Sequence, residues 1–262
     1  MKTNSLKFLL IFSALIFLNL KTVSAESEKQ EKIGIYENLD GFIPDDVMVL
    51  TQDSVWVNFK SLINKPTVLT LVYYTCPGIC SPLLDGVAEL IERSDLTLGK
   101  DYQVLTVSFN YSETPFLAGS KRKNYLAQVN RKIDESGWKF FTADSTNVYK
   151  LTNSVGFMFK REGKDFIHAA TIIVLSPEGK ITRYLYGTKF LPFDLKMSVI
   201  EAGKGKSSPT ISKVLQYCFS YDVKAKKYAL NFTRVGGTVI LTFAFIVFLF
   251  LVLKKKKADQ VN

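Results

Sequence analysis

Residues 66–94 read PTVLTLVYYTCPGICSPLLDGVAELIERS, and this stretch decides the fold. From Pro66 to Tyr74 it is rich in Val, Leu and Tyr without clean apolar and polar alternation, as expected of a central strand buried on both faces. From Ser81 onward, Leu83, Leu84, Val87, Leu90 and Ile91 recur at helical spacing. The unit is a strand, a turn TCPGIC carrying two thiols, and a helix.

Working outward, the pattern repeats. On the N-terminal side, VMVL, TQDS and VWVNF between Asp46 and Lys60 form a small hairpin with a polar turn. On the C-terminal side, YQVLTVSF (102–109) is a second buried strand. TPFLAGSKRKNYLAQVNRKIDES (114–136) is a polar, amphipathic helical stretch stopped at Gly137. WKFFTA is a third strand, and DSTNVYKLTNSVG a short helix started by Asp144 or Ser145 and ended at Gly156. FMFKREGKDF turns at Glu162-Gly163 into two strands joined by Pro177-Glu178-Gly179, and LPFDLKMSVIEAGKG is a last helix stopped by Gly203. Alternating strands and helices with one closing hairpin define a three-layer α/β fold in one domain.

The 262 residues are 47% apolar, which excludes a disordered or collagen-like chain, and three cysteines are too few for a disulfide-stapled scaffold. The fold therefore rests on a hydrophobic core. A net charge of +10 would suit nucleic acid if it were clustered on the folded part. Instead the excess sits at the ends, with Lys2, Lys7 and Lys21 at one and Lys254 to Lys257 at the other, which reads as membrane topology.

Residues 1–25 have the layout of a secretory signal cleaved after Ala25, with an apolar core, Phe8 to Leu18, too short to span a bilayer. Val235 to Leu253 is an uncharged run close to the ~20 residues of a spanning helix, and the following lysines place its C-terminal end in the cytoplasm. The expected division is a signal (1–25), an extracytoplasmic domain (26–202), a linker and membrane-proximal segment (203–234), a transmembrane helix (235–253) and a cytoplasmic basic tail (254–262). The domain then faces the periplasm, or the outside of the cytoplasmic membrane.

Cys76 and Cys80 lie four positions apart at a strand–helix junction, so a helix through both sets their Cβ atoms roughly 5–6 Å apart on one face. A helix N-terminus favours thiolate over thiol, and Pro77 suits a first helical position. Two small core residues, a disulfide and a reversible redox pair are the competing readings. His168, the only histidine, sits at the mouth of the strand AATIIVL. Two thiolates and an imidazole form a soft set that suits copper, Cu(I) through the thiolates and Cu(II) through the imidazole, whereas zinc wants a fourth ligand that is not obvious. Cys218, in YCFSYD near the membrane run, reads as a packed or unpaired thiol.

LVYYTCPGICSP and IHAATIIVLSPEGKI together resemble the Sco/SenC family of copper chaperones for cytochrome c oxidase assembly, and the likeness extends over roughly 33–202, including the lead-in GIYENLDGFIPDDV. It implies a thioredoxin-like fold in which Cys76, Cys80 and His168 hold Cu(I) or Cu(II). It also implies a role in delivering copper to the binuclear centre of oxidase subunit II, or in keeping that centre's cysteines reduced. The partners so implied are subunit II and another copper carrier or thiol reductant.

This chain departs from the family twice. Where the family commonly reads F-D-P-x-x-D-T-P, it has FNYSETP, with Asn110 at the first aspartate and Glu113 approximating the second. Its anchor is also C-terminal, where family members often keep an N-terminal helix. Three residues between the cysteines, against two in ordinary thiol oxidoreductases, favour a non-catalytic metal carrier with no catalytic residue assigned. A thiol–disulfide oxidoreductase is the alternative, with Cys76 attacking and Cys80 resolving. For a peroxidase of the same fold, Thr75 alone is thin support.

Overall fold

In a computed structural model of the chain, the described residues are 33–208, the strands 219–222 and 227–230, and isolated helical positions at 236, 237, 240–243 and 246. The central element is a seven-stranded sheet. It comprises β2 (Met48–Thr51), β3 (Trp56–Asn58), β4 (Thr67–Val72), β5 (Gln103–Ser108), β6 (Trp138–Thr142), β10 (Thr171–Leu175) and β11 (Ile181–Tyr186), in the order β11-β10-β4-β5-β6-β2-β3. β4, β5 and β6 run parallel, and the other pairings are antiparallel. The four long helices are α1 (Cys80–Arg93), α2 (Pro115–Leu126), α3 (Ser145–Ser154) and α4 (Pro192–Gly203).

Every residue of β4 and β5 is buried, which explains why neither strand shows a clean apolar and polar alternation. The polar groups among them are paired: the Thr70 hydroxyl donates to Thr106 Oγ1 at 2.7 Å, and the Trp138 indole N–H donates to the same oxygen at 2.9 Å. Crossovers through α1 and α2 return the chain to the same end of the sheet, so the C-terminal ends of β4 and β5 open side by side. β10 runs antiparallel to β4, which brings its first residues to that end too. A site for ligands forms there, as in other parallel α/β sheets.

Smaller pairs complete the domain. β1 (Gly34–Ile35) pairs with β7 (Phe157–Met158), β8 (Lys160–Glu162) with β9 (Asp165–Ile167), and β12 (Phe219–Asp222) with β13 (Lys227–Leu230). Gly156 has φ +63, and a Cβ there would lie 1.8 Å from the Tyr36 carbonyl, so only glycine lets α3 end against the β1 segment. Asp144 caps α3 by accepting from the Asn147 N–H.

Three local expectations are corrected. The helix after the thiol turn starts at Cys80, with Ile79 as N-cap, so Cys76 and Pro77 precede it and Pro77 is not its first residue. Cys76 instead closes a turn, its N–H donating to the Tyr73 carbonyl at 3.2 Å, and the helical pattern begins with the Leu83 N–H donating to the Ile79 carbonyl at 3.0 Å. The helical stretch expected to reach residue 136 ends at Leu126. There the chain turns to serve the C-terminus of α1, where the Arg131 guanidinium donates to the carbonyls of Ser94, Leu96 and Ile91, and Glu92 accepts the N–H groups of Asn130 and Arg131. The start of the expected linker is also docked: Ser208 N–H donates to the Thr182 carbonyl at 3.1 Å, and the Ser207 hydroxyl to Asp40 at 2.8 Å.

The signal, Cys218, the basic tail and most of the 235–253 run lie outside the described residues. Among the described residues, no helix is long and apolar enough to cross a membrane.

Candidate metal centre

Cys76, Cys80 and His168 converge at the open end of β4. Their ligand atoms all lie within 4.8 Å of one another, and they are the one group of this kind among the described residues. Cys80 Sγ stands 3.5 Å from His168 Nε2 across 88 positions of sequence. A single ion with bonds of about 2.0–2.3 Å to imidazole nitrogen and thiolate sulfur fits such a span.

Each of the three side chains is held differently. The Cys76 backbone N–H donates to the Tyr73 carbonyl at 3.2 Å, closing the turn that brings the first thiol back toward α1. Cys76 Sγ accepts from the Gly78 N–H at 3.3 Å, and Cys80 Sγ from the Tyr73 N–H at 3.4 Å. His168 Nδ1 lies 2.9 Å from the Ala169 carbonyl. A carbonyl only accepts, so Nδ1 carries a proton, and Nε2 is the ring nitrogen turned toward the thiols.

The environment divides the two thiols. Hydrogen bonding from Cys80 pulls the Cys76 pKa down to about 3; His168 and the backbone N–H groups of Cys80 and Gly78 act in the same sense, and burial opposes them. Burial first, and the Cys76 charge second, push Cys80 well above its ordinary value. The pair is a thiolate beside a thiol. Behind His168 stands an aromatic wall, with ring centroids of Phe109, Tyr73 and Phe157 at 5.1, 5.7 and 6.2 Å from the imidazole. Phe166 packs on Tyr73 at 5.2 Å, joining the β8–β9 hairpin to this wall. Cys80 is 2% and His168 6% exposed, and Cys76 is half-buried.

Glu113 has a role that its sequence position alone does not define. Its carboxylate accepts from the Tyr74 N–H at 2.7 Å, the Thr75 N–H at 2.8 Å, the Thr75 hydroxyl at 2.7 Å and the Ser108 hydroxyl at 2.6 Å. Four donors on one carboxylate fix the turn that presents Cys76. Asn110 spends its side chain locally, accepting from the Ser112 N–H at 3.1 Å. The acidic element of this segment therefore braces the thiol turn. The Thr75 hydroxyl spends its proton on Glu113.

Fold and site define a thioredoxin-like domain with a Cys-x-x-x-Cys turn and a distant histidine in register. No protein-family model matches the chain. It is 24% identical over 147 residues to the SCO1 protein homolog of Bacillus subtilis (strain 168), covering 55% of this chain and 73% of that protein. A solved structure from Aquifex aeolicus VF5, described by a role in electron transfer, is 29% identical, with a TM-score of 0.58 over 64% of this chain and 95% of the other. Arabidopsis thaliana ScoI, solved with copper bound, shares the fold at 18% identity, with a TM-score of 0.50 over 60% of this chain and 96% of that one. In fold, and in the spacing of its two cysteines, the chain is similar to these Sco proteins.

Proposed function

We propose that this protein is a membrane-anchored, extracytoplasmic copper carrier whose cargo is held by Cys76, Cys80 and His168, and that it serves the binuclear copper site of cytochrome c oxidase subunit II. The observation that carries this reading is the convergence of two sulfurs and one imidazole nitrogen within 4.8 Å, drawn from segments far apart in sequence. Soft thiolates suit Cu(I), and the imidazole lone pair adds the donor that Cu(II) prefers. The uncharged run 235–253 and the basic tail support a C-terminal anchor with the domain outside the cytoplasm.

A second reading rests on a specific observation. The Cys76 thiolate beside the protonated, buried Cys80 also suits thiol–disulfide exchange, with Cys76 attacking a partner disulfide and Cys80 resolving the mixed disulfide. On this reading the protein reduces the oxidase cysteines before copper arrives.

Copper titration of the reduced protein separates the two, read by absorption and electron spin resonance of the Cu(II) form. A one-to-one complex with thiolate-to-copper charge transfer supports the carrier. Oxidation of Cys76 and Cys80 to a disulfide without a stable complex supports the oxidoreductase.

A further inference from the structure

Resting on the carrier reading, we infer that the three ligands have an order: Cys76 is the exchange ligand, through which copper is handed to a thiol of the acceptor protein, and Cys80 and His168 hold the ion until last. The three positions differ in access. Cys80 is 2% and His168 6% exposed, whereas Cys76 is half-buried and its neighbours Thr75, Pro77 and Gly78 are exposed. An ion among the three ligands is closed off behind His168 by Phe109, Tyr73 and Phe157. It is closed off beside Cys80 by the start of α1 and by the Tyr73 backbone, whose N–H meets the Cys80 sulfur at 3.4 Å. An incoming sulfur must come within about 2.3 Å of the metal to bond it. The side left open is the Thr75–Gly78 turn, so the attacking ligand arrives next to Cys76.

The anchoring of the ligands points the same way. Cys80 sits on the first residue of a fourteen-residue helix, and His168 is fixed by its 2.9 Å contact with the Ala169 carbonyl. Cys76 sits in the turn between β4 and α1, where its sulfur can swing off the metal while Gly78 N–H, 3.3 Å away, continues to solvate it. The exchange is a ligand substitution. The acceptor's thiol loses its proton to solvent as its sulfur–copper bond forms, the Cys76 sulfur–copper bond breaks, and Cys76 departs as thiolate. Copper stays Cu(I) and no electron is transferred.

The test is differential alkylation of the full-length protein in detergent, apo or loaded with one equivalent of Cu(I). It is pulsed with N-ethylmaleimide, with peptide mass spectrometry for each cysteine and a colorimetric Cu(I) chelator for released metal. Comparing each thiol with itself removes its intrinsic exposure. Copper should slow labelling of Cys80 more than that of Cys76 by roughly tenfold or more, and protein labelled only at Cys76 should retain its copper. With copper in excess, Cys76→Ser should still protect Cys80, whereas Cys80→Ser should leave Cys76 open. Equal protection of both thiols, with labelling only in step with copper release, overturns the order, as does earlier labelling of Cys80. Failure of the wild-type protein to take up Cu(I) is seen at the loading step and overturns the carrier reading itself.

Discussion

Oε1 of Glu113 accepts both the backbone N–H of Thr75, at 2.8 Å, and its hydroxyl, at 2.7 Å, so one carboxylate oxygen grips the residue immediately before Cys76. Glu113→Ala takes the acceptor from the buried Ser108 hydroxyl and the half-buried Tyr74 N–H, while the exposed Thr75 donors turn to water. Loss of about 2 kcal/mol of stability is expected in urea unfolding, because half-buried polar groups are left unpaired. Copper affinity should fall as well, since the turn that aims Cys76 loses its brace.

His168→Ala should damage Cu(II) binding far more than Cu(I) binding. The two sulfurs remain for the softer ion, and the one nitrogen donor is lost. Spin resonance of the Cu(II) form and a Cu(I) competition titration measure the two, and equal loss in both contradicts the role given to the imidazole.

The reduced, metal-free protein should become more stable as pH rises from 5 to 8. Cys76 falls from an ordinary 9.0 to about 3 in the fold. Between those values the native thiol is ionised and the unfolded one protonated, so unfolding takes up a proton and stability grows with pH. Cys80 is shifted upward and opposes this only above its unfolded value. Thermal melts at several pH values should show the slope in the wild type and a flatter one in Cys76→Ser.

Gly86→Ala should separate the site from its support. A Cβ at this position of α1 would meet the Thr188 carbonyl at 1.9 Å. The adjoining Gly187 N–H donates to the Ala170 carbonyl, two residues beyond His168. Overpacking here is expected to cost about 1–3 kcal/mol in denaturant unfolding and to weaken copper binding, because the helix bearing Cys80 and the segment bearing His168 are pushed apart.

Membrane fractions should retain the full chain after carbonate washing and release it only to detergent, while a chain ending at residue 234 should leave with the soluble fraction. A full chain released by carbonate alone contradicts an anchor at 235–253.

Local sequence determined much of this protein. The apolar runs of β4 and β5, the helical spacing of Leu83 to Ile91, the cap at Asp144 and the turn at Glu162-Gly163 are short-range signals, and each element formed where its residues demanded. The thiol pair at a strand–helix junction and the single histidine were legible for the same reason. Sequence reading erred where long-range contacts outweighed local periodicity. α2 ends at Leu126 because the next residues turn to satisfy carbonyls and side chains of α1, and periodicity carries no information about a neighbour's unsatisfied groups.

Only the tertiary structure decided the rest. Cys80 and His168 are 88 positions apart, and their 3.5 Å approach exists because β10 lies antiparallel beside β4 in the sheet. The helix reading put Cys76 and Cys80 on one face of α1, yet Cys76 lies before the helix and reaches its partner through a turn held by Glu113 and the Tyr73 carbonyl. The sequence singled out Cys76, Cys80 and His168 because residue chemistry is local. Their proximity, order of access and different acidities come from burial and from hydrogen bonds across the sheet, which depend on what the folded chain brings together.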